Sequence, residues 1–278
     1  FDLKRESRRR GWDGDIPADE IVSTDPIELE SLANGTSTDY QDLVYDDGWQ
    51  TNHQLGVRGG NQKTQFNIAL SYFDEQGVIS NMDFSRITGR VNLDHKINDI
   101  FQVGISFLAT NSVQNFGSNA TVGEALANNP LGTPFDEMGN LLLLPTNDGI
   151  RTNPLSELVE NAYIDERQVT RIFAPVYLRA NIAEGLQYTL NVGPDVRYRR
   201  QGEFRASNTN NNRGGPSDSE IDNRNEVGYT IENILNYNTT FGSKHNFGFT
   251  ALQSIQSLRE ERFRTEVSNL PYESQLFY

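Results

Sequence analysis

The sequence predicts an all-β protein: an antiparallel, up-and-down set of about eight strands that makes part of a transmembrane β-barrel with long extracellular loops. Three observations predict it. Beyond residue 50, apolar and polar residues alternate with the two-residue period of a strand whose faces meet different surroundings. The connections between these stretches alternate between tight turns and long polar loops. The longest aliphatic run, Leu141 to Leu144, is ended by Pro145, whereas a membrane helix needs about 20 apolar residues.

The strands follow in order. A short segment runs from His53 to Arg58. From Gln65 to Tyr72, Phe66, Ile68, Leu70 and Tyr72 oppose Gln65, Asn67, Ala69 and Ser71. From Arg86 to Asp94, Ile87, Gly89, Val91 and Leu93 oppose Arg86, Thr88, Arg90, Asn92 and Asp94. Phe101, Val103, Ile105, Phe107 and Ala109 oppose Gln102, Gly104, Ser106 and Thr110. Ile172, Ala174, Val176, Leu178, Ala180 and Ile182 share one face, with Phe173 and Tyr177 on the other. Leu186, Tyr188, Leu190 and Val192 form the next strand. Tyr229 to Phe241 follows, its pattern broken at Asn233 and Ile234, and Phe247, Phe249 and Ala251 complete the set.

Between them, Gly59 to Gln62, Asn98-Asp99, Ala183 to Gly185 and Gly242 to Lys244 read as tight turns. Asp74 to Asp83, Val113 to Arg167 and Arg200 to Asn225 read as long loops, and the chain closes on an irregular stretch after Leu258. Ala120 to Pro130 is expected to supply one helical turn inside its loop. In an up-and-down order, every tight turn falls on one edge and every long loop on the other, as in outer-membrane barrels with short periplasmic turns. Residues 1–49 lack the alternation and read as a loop-rich, extracellular segment; residues 50–278 read as barrel.

Composition excludes other classes. A formal charge of -14 disfavours a nucleic-acid partner, since no basic stripe is present to meet a polyanion. The absence of Cys removes disulfides, thiolate catalysis and Cys-bound metals. The opening Phe1-Asp2-Leu3-Lys4 has neither an initiator Met nor an apolar signal core, so the chain reads as an internal piece of a longer protein.

Candidate sites are sparse. His53, His95 and His245 are too far apart for a His-Glu-x-x-His zinc site, and His95 and His245 sit beside tight turns. No Gly-x-Ser-x-Gly elbow or phosphate loop occurs, so no enzyme, cofactor or metal site is expected. Asp13-Gly14-Asp15 with Asp19 and Glu20 could offer oxygen ligands to Ca²⁺ but lacks a complete ligand loop, and reads as an acidic loop. Lys4, Arg5, Arg8, Arg9 and Arg10 could contact headgroups, though a solvated face is the plainer reading. Asn67, Arg86, Arg90, Asn92 and Gln102 are the candidate lumen-facing residues, able to line a substrate path or to bond a plug. Trp49, Tyr198 and Phe204, near strand ends, are candidate interface or substrate aromatics, with an interfacial girdle favoured over sugar stacking.

Longer motifs add a resemblance. His53-Gln54-Leu55-Gly56-Val57-Arg58-Gly59-Gly60-Asn61, the stretch Phe66 to Gly77 and Arg90 through Asp99 follow one another as in the start of the barrel of SusC/RagA-like TonB-linked outer-membrane transporters of the Bacteroidetes, which they resemble. Asn129 to Gly132, Pro134 to Asn140, Asn153-Pro154-Leu155 and Arg171 through Asp195 are similar to later parts of that family. The resemblance implies an energy-coupled importer of glycans or peptides. It would sit in outer-membrane lipid beneath a SusD-like surface lipoprotein and be driven by TonB through N-terminal parts this chain lacks. The rival is a soluble all-β carbohydrate-binding module, whose apolar faces would pack against a second sheet about 10 Å away.

Overall fold

The computed structural model describes Glu6 and residues 22–242 and 244–277. The alternating segments become nine strands of one antiparallel sheet: β1 (Trp49–Gly60), β2 (Thr64–Gln76), β3 (Asp83–Lys96), β4 (Phe101–Asn115), β5 (Tyr163–Phe173), β6 (Val176–Ala183), β7 (Leu186–Arg205), β8 (Asp218–Phe241) and β9 (His245–Ser268). The order across the sheet is β1-β2-β3-β4-β5-β7-β8-β9, with β6 also lying between β4 and β7, so the sheet is an up-and-down meander in which β5 and β6 share one place.

β5 and β6 are one course of chain. Phe173 opposes Asp195 and Val176 opposes Val192, and no register is lost between them. The break marks two prolines at adjacent levels, Pro175 and Pro194, which have no N–H to give the ladder. The carbonyls still serve: Ser106 N donates to Pro175 O at 2.9 Å and Ala174 N to Pro194 O at 3.1 Å. The count of long strands is thus the eight expected, seven of them unbroken.

The tight-turn edge is built from Asx turns and glycine. Asn61 Oδ1 accepts from Lys63 N and Thr64 N, and Asn98 Oδ1 from Ile100 N and Phe101 N. Gly185, at φ +73°, leaves room for Asn238 O where a side chain would collide. Of the turn read at Gly242 to Lys244, Ser243 lies outside the described residues.

At the opposite edge the strands run longer than the alternation suggested. Asp74 to Gln76, Arg200 to Arg205 and Asp218 to Asn225 are strand, not loop, and the stretch after Leu258 continues β9 to Ser268. The loops proper are 77–82, 116–162 and 206–217. They contain the helix α3 (Asn119–Ala127), longer than the single turn expected, and a 3₁₀ helix at Pro154–Leu158. Before β1 stand α1 (Pro26–Asn34) and α2 (Tyr40–Val44). Asp25 caps α1 by accepting from Ile27 N at 2.9 Å, Pro26 begins it, and Gly35 at φ +66° ends it.

One face of the sheet is apolar in rows that cross every strand. Val57, Ile68, Val91 and Phe107 stand in register, and so do Ile105, Val176, Val192, Ile231 and Ile255. These side chains are largely uncovered: Leu55 is 71% exposed and Phe249 51%. A soluble sandwich would bury them, but all the described strands belong to one sheet and no second sheet meets that face. The fold is therefore all-β, an antiparallel up-and-down partial barrel wall. Its buried clusters lie at the loop edge instead: Tyr40, Val44 and Ala125 form one, and Ala162, Phe204, Ala206 and Phe277 the other.

Candidate functional site

The face opposite the apolar rows is mostly polar, with a few apolar residues such as Phe73, Phe84 and Leu108 among them. Asn67, Asn92 and Ser106 stand side by side on β2, β3 and β4, and Ser106 Oγ donates to Asn92 Oδ1 at 2.6 Å. Nearer the tight turns, Gln102 Nε2 donates to Tyr177 Oη at 2.9 Å, while Tyr177 Oη donates to Asp94. The Tyr177 ring crosses β4 at Gly104, where any Cβ would overlap it. Arg90 lies between Ala69 and Leu108. Arg86 stands further toward the loops, its guanidinium 5.9 Å from the rings of both Phe73 and Phe84. The five candidate residues share this face without converging on one pocket. His95 accepts or donates at Nδ1 to Thr64 Oγ1, 2.8 Å away, tying β2 to β3 beside the first turn.

The aromatic candidates separate. Trp49 and Tyr198 stand exposed on the apolar side, near the loop edge. Phe204 is corrected by the structure: it is fully buried against Ala162, Ala206 and Phe277. Its ring therefore meets this chain's own side chains and is not available to an interface or a sugar. The tail at 269–277 folds back to cover it, with Ser207 N donating to Glu273 Oε1 at 2.7 Å.

Sequence reasoning missed the dense charge on the loop half of β5, β7, β8 and β9. Here the strands extend past the apolar rows, and Gln168, Arg200 and Asn223 replace apolar groups on the other face. On the polar face, Asp222 collects two guanidinium groups, Arg262 Nη2 at 2.5 Å and Arg199 Nη2 at 3.3 Å. Arg264 reaches Glu220 at 2.7 Å, and Arg205 bridges Glu203 and Asp218 at 2.7 and 2.8 Å. The signal was present as alternation of charge in Arg197 to Arg205 and Leu258 to Glu266.

The Arg262 hydrogen bond, with Arg199 and Arg224 nearby, holds the Asp222 carboxyl below the usual range. A lowered carboxylate stabilises the fold fully above its unfolded pKa, about 3.9, and loses that contribution as pH falls through the lower folded value. Melting of the protein is therefore expected to fall more steeply below about pH 4 than that of Asp222→Asn, which has no such carboxylate to protonate. Parallel thermal melts from pH 3 to 7 check this.

The long loops form a collar. Asn210 ties the 206–217 loop to three points of the 116–162 loop: its N–H donates to Glu157 Oε1 at 2.6 Å, and its Nδ2 to Thr152 Oγ1 at 2.6 Å and Glu124 Oε1 at 3.2 Å. Asn153 Nδ2 donates to Pro134 O and Leu142 O, both at 2.8 Å, and Asn128 Nδ2 to Thr152 O at 2.8 Å. Asp25 Oδ2 accepts from Asn147 N at 2.7 Å, linking α1 to the loop of α3. The acidic group at Asp13, Asp15, Asp19 and Glu20 and the basic group from Lys4 to Arg10 lie outside the described residues.

No protein-family model matches the chain. It is 25% identical over 254 residues to TonB-dependent receptor P3 of Formosa agariphila, covering 88% of this chain and 25% of that protein. Against TonB-dependent receptor P39 of the same organism it is 28% identical over 228 residues, 78% of this chain and 21% of that one. A shorter match, 28% over 96 residues, covers 34% of the chain and 10% of TonB-dependent receptor SusC of Bacteroides thetaiotaomicron. In fold it matches the RagAB peptide importer in its closed-closed state with TM-score 0.73 and 16% identity, over 98% of this chain and 33% of that one. A second RagAB peptide transporter structure matches with TM-score 0.70 and 18% identity, over 86% of this chain and 28% of that one. The chain spans about a quarter of the length of the first two curated relatives. In sequence and in fold it is thus SusC/RagA-like, resembling one stretch of the barrel of TonB-dependent receptors of that kind.

Proposed function

We propose that this chain is part of the wall of an outer-membrane, TonB-dependent importer of glycans or peptides that works with a SusD-like surface lipoprotein. In this reading residues 50–278 are barrel and residues 1–49 an extracellular, loop-rich segment. The apolar rows meet lipid, where a spanning sheet must satisfy its backbone by strand pairing. Asn67, Arg86, Arg90, Asn92 and Gln102 face the lumen and serve a plug or a passing solute. The chain's role is passage, not catalysis, and work from TonB arrives through other parts of the longer protein.

The observation that carries the reading is the coincidence of two asymmetries in one sheet: apolar rows on one face only, and all the long loops at one edge. Soluble sheets have no reason to combine an uncovered apolar face with this edge asymmetry. The test is sidedness. An epitope inserted after Gly214, in the exposed part of the 206–217 loop, is expected to bind antibody on intact cells. The same epitope after Gly60 is expected to bind only once the outer membrane is permeabilised. Labelling at Gly60 on intact cells would invert the topology.

A further inference from the structure

Beyond the apolar rows, the polar face carries two stripes of opposite charge. Arg199, Arg224 and Arg262 oppose one another directly on β7, β8 and β9. Arg86 lies on the same line, reached through Ser112 and Val169. Four residues along, Asp165, Glu203, Glu220 and Glu266 form an acidic row across β5, β7, β8 and β9. At a strand rise of 3.3 Å the rows are about 13 Å apart.

Like charges directly across a ladder repel, so this arrangement costs stability that alternating the same residues would not. Diagonal ion pairs offset the cost and fix the side chains, with Asp222 between the rows holding Arg199 and Arg262, and Arg264 holding Glu220. They do not use every donor. The buried Nε atoms of Arg199 and Arg224 have no hydrogen-bond acceptor, although Arg224 Nε lies 3.3 Å from Glu260 Oε1. A solute on this face meets the open ends of the guanidinium groups and not those Nε atoms, since the Arg199, Arg224 and Arg262 side chains are 21%, 27% and 44% exposed.

We propose that these rows are a docking surface for an extended peptide that carries one acidic and one basic side chain about four residues apart, the acid against the arginine row and the base against the carboxylate row. This rests on the import reading and narrows its substrate class. Charge complementarity selects the occupant: a neutral glycan offers neither stripe a counter-charge, and a simple anion leaves the acidic row unmet.

The experiment measures binding to the purified receptor at its natural length by calorimetry at low salt. The probes are the capped peptide Glu-Ala-Ala-Ala-Lys, the capped neutral peptide Gln-Ala-Ala-Ala-Gln, and maltopentaose. The dipolar peptide is expected to bind about tenfold more tightly than either neutral probe, and to weaken with added salt. Arg224→Gln and Glu220→Gln should each remove most of that preference, while Arg224→Lys, which keeps the charge, retains much of it. Heat-modifiable migration of each variant shows whether the wall still folds. Equal binding of dipolar and neutral peptides, or a preference untouched in folded Arg224→Gln and Glu220→Gln, overturns the proposal and leaves the rows a structural network. TonB-dependent uptake, measured separately, reports on the import reading itself, so either idea can fail without the other.

Discussion

Val91→Arg is expected to destabilise the folded wall by about 2–4 kcal/mol, while Asn92→Arg, one residue along, is nearly neutral. Val91 sits in the apolar row between Ile68 and Phe107, so a guanidinium there has no partner on its own face and, in the proposed barrel, would face hydrocarbon. Asn92 points to the other face, beside Asn67 and Ser106, where water and amide groups receive a charge. The difference therefore measures facing, since both substitutions add the same side chain to the same strand. Urea titration of heat-modifiable migration in outer membranes reads it. Equal losses would mean that both faces of β3 have the same solvent.

Phe204→Ala is expected to cost about 3–5 kcal/mol through the cavity it leaves. Phe204 fills the space under the tail, and with it gone Phe277 loses the surface it packs on. Around this pair the backbone is held by Ala206 N donating to Ala162 O at 2.8 Å and Asn269 N donating to Ser217 O at 2.8 Å. The damage should appear first as protease cleavage within 269–277, before the strands themselves unfold. Phe204→Leu, which keeps most of the volume, should cost under about 1.5 kcal/mol and leave the tail protected. Identical cleavage of the two variants would show that the tail is held by its hydrogen bonds and not by this ring.

The strands were legible wherever their two faces meet different surroundings, because only there does hydropathy alternate. Ile87 to Leu93 and Phe101 to Ala109 are of this kind. Past the apolar rows both faces are polar, and hydropathy no longer distinguishes strand from loop. Arg200 to Arg205 and Leu258 to Ser268 read as irregular for that reason, although their charges alternate. The helix α1 lies in a stretch that reads as loop, and its signals, Asp25-Pro26 and Gly35, are a cap and a stop that hydropathy does not register. The Phe204 environment and the Asn210 junction were illegible, since they depend on residues far apart in sequence: Phe277 for the first, Glu124 for the second. Likewise the charge rows exist only in register. No single strand shows that Arg199, Arg224 and Arg262 are neighbours.

In the proposed barrel, one sheet separates lipid from a wet lumen. The chain has no Cys, so single cysteines can report on each position without background from this stretch. Two sets suffice, placed in the natural-length protein in native outer membranes: Ile68, Val91, Phe107, Val192 and Ile255 from the apolar rows, and Asn67, Asn92, Ser106, Asn191 and Ser254 from the other face. Each carries an environment-sensitive fluorophore and is exposed in turn to brominated lipid and to a membrane-impermeant, water-soluble quencher. The first set should be quenched by the lipid and the second by the aqueous reagent, switching at every residue along β2, β3 and β4. Quenching of both sets by the aqueous reagent alone would contradict the account, because the apolar face would then stand in water.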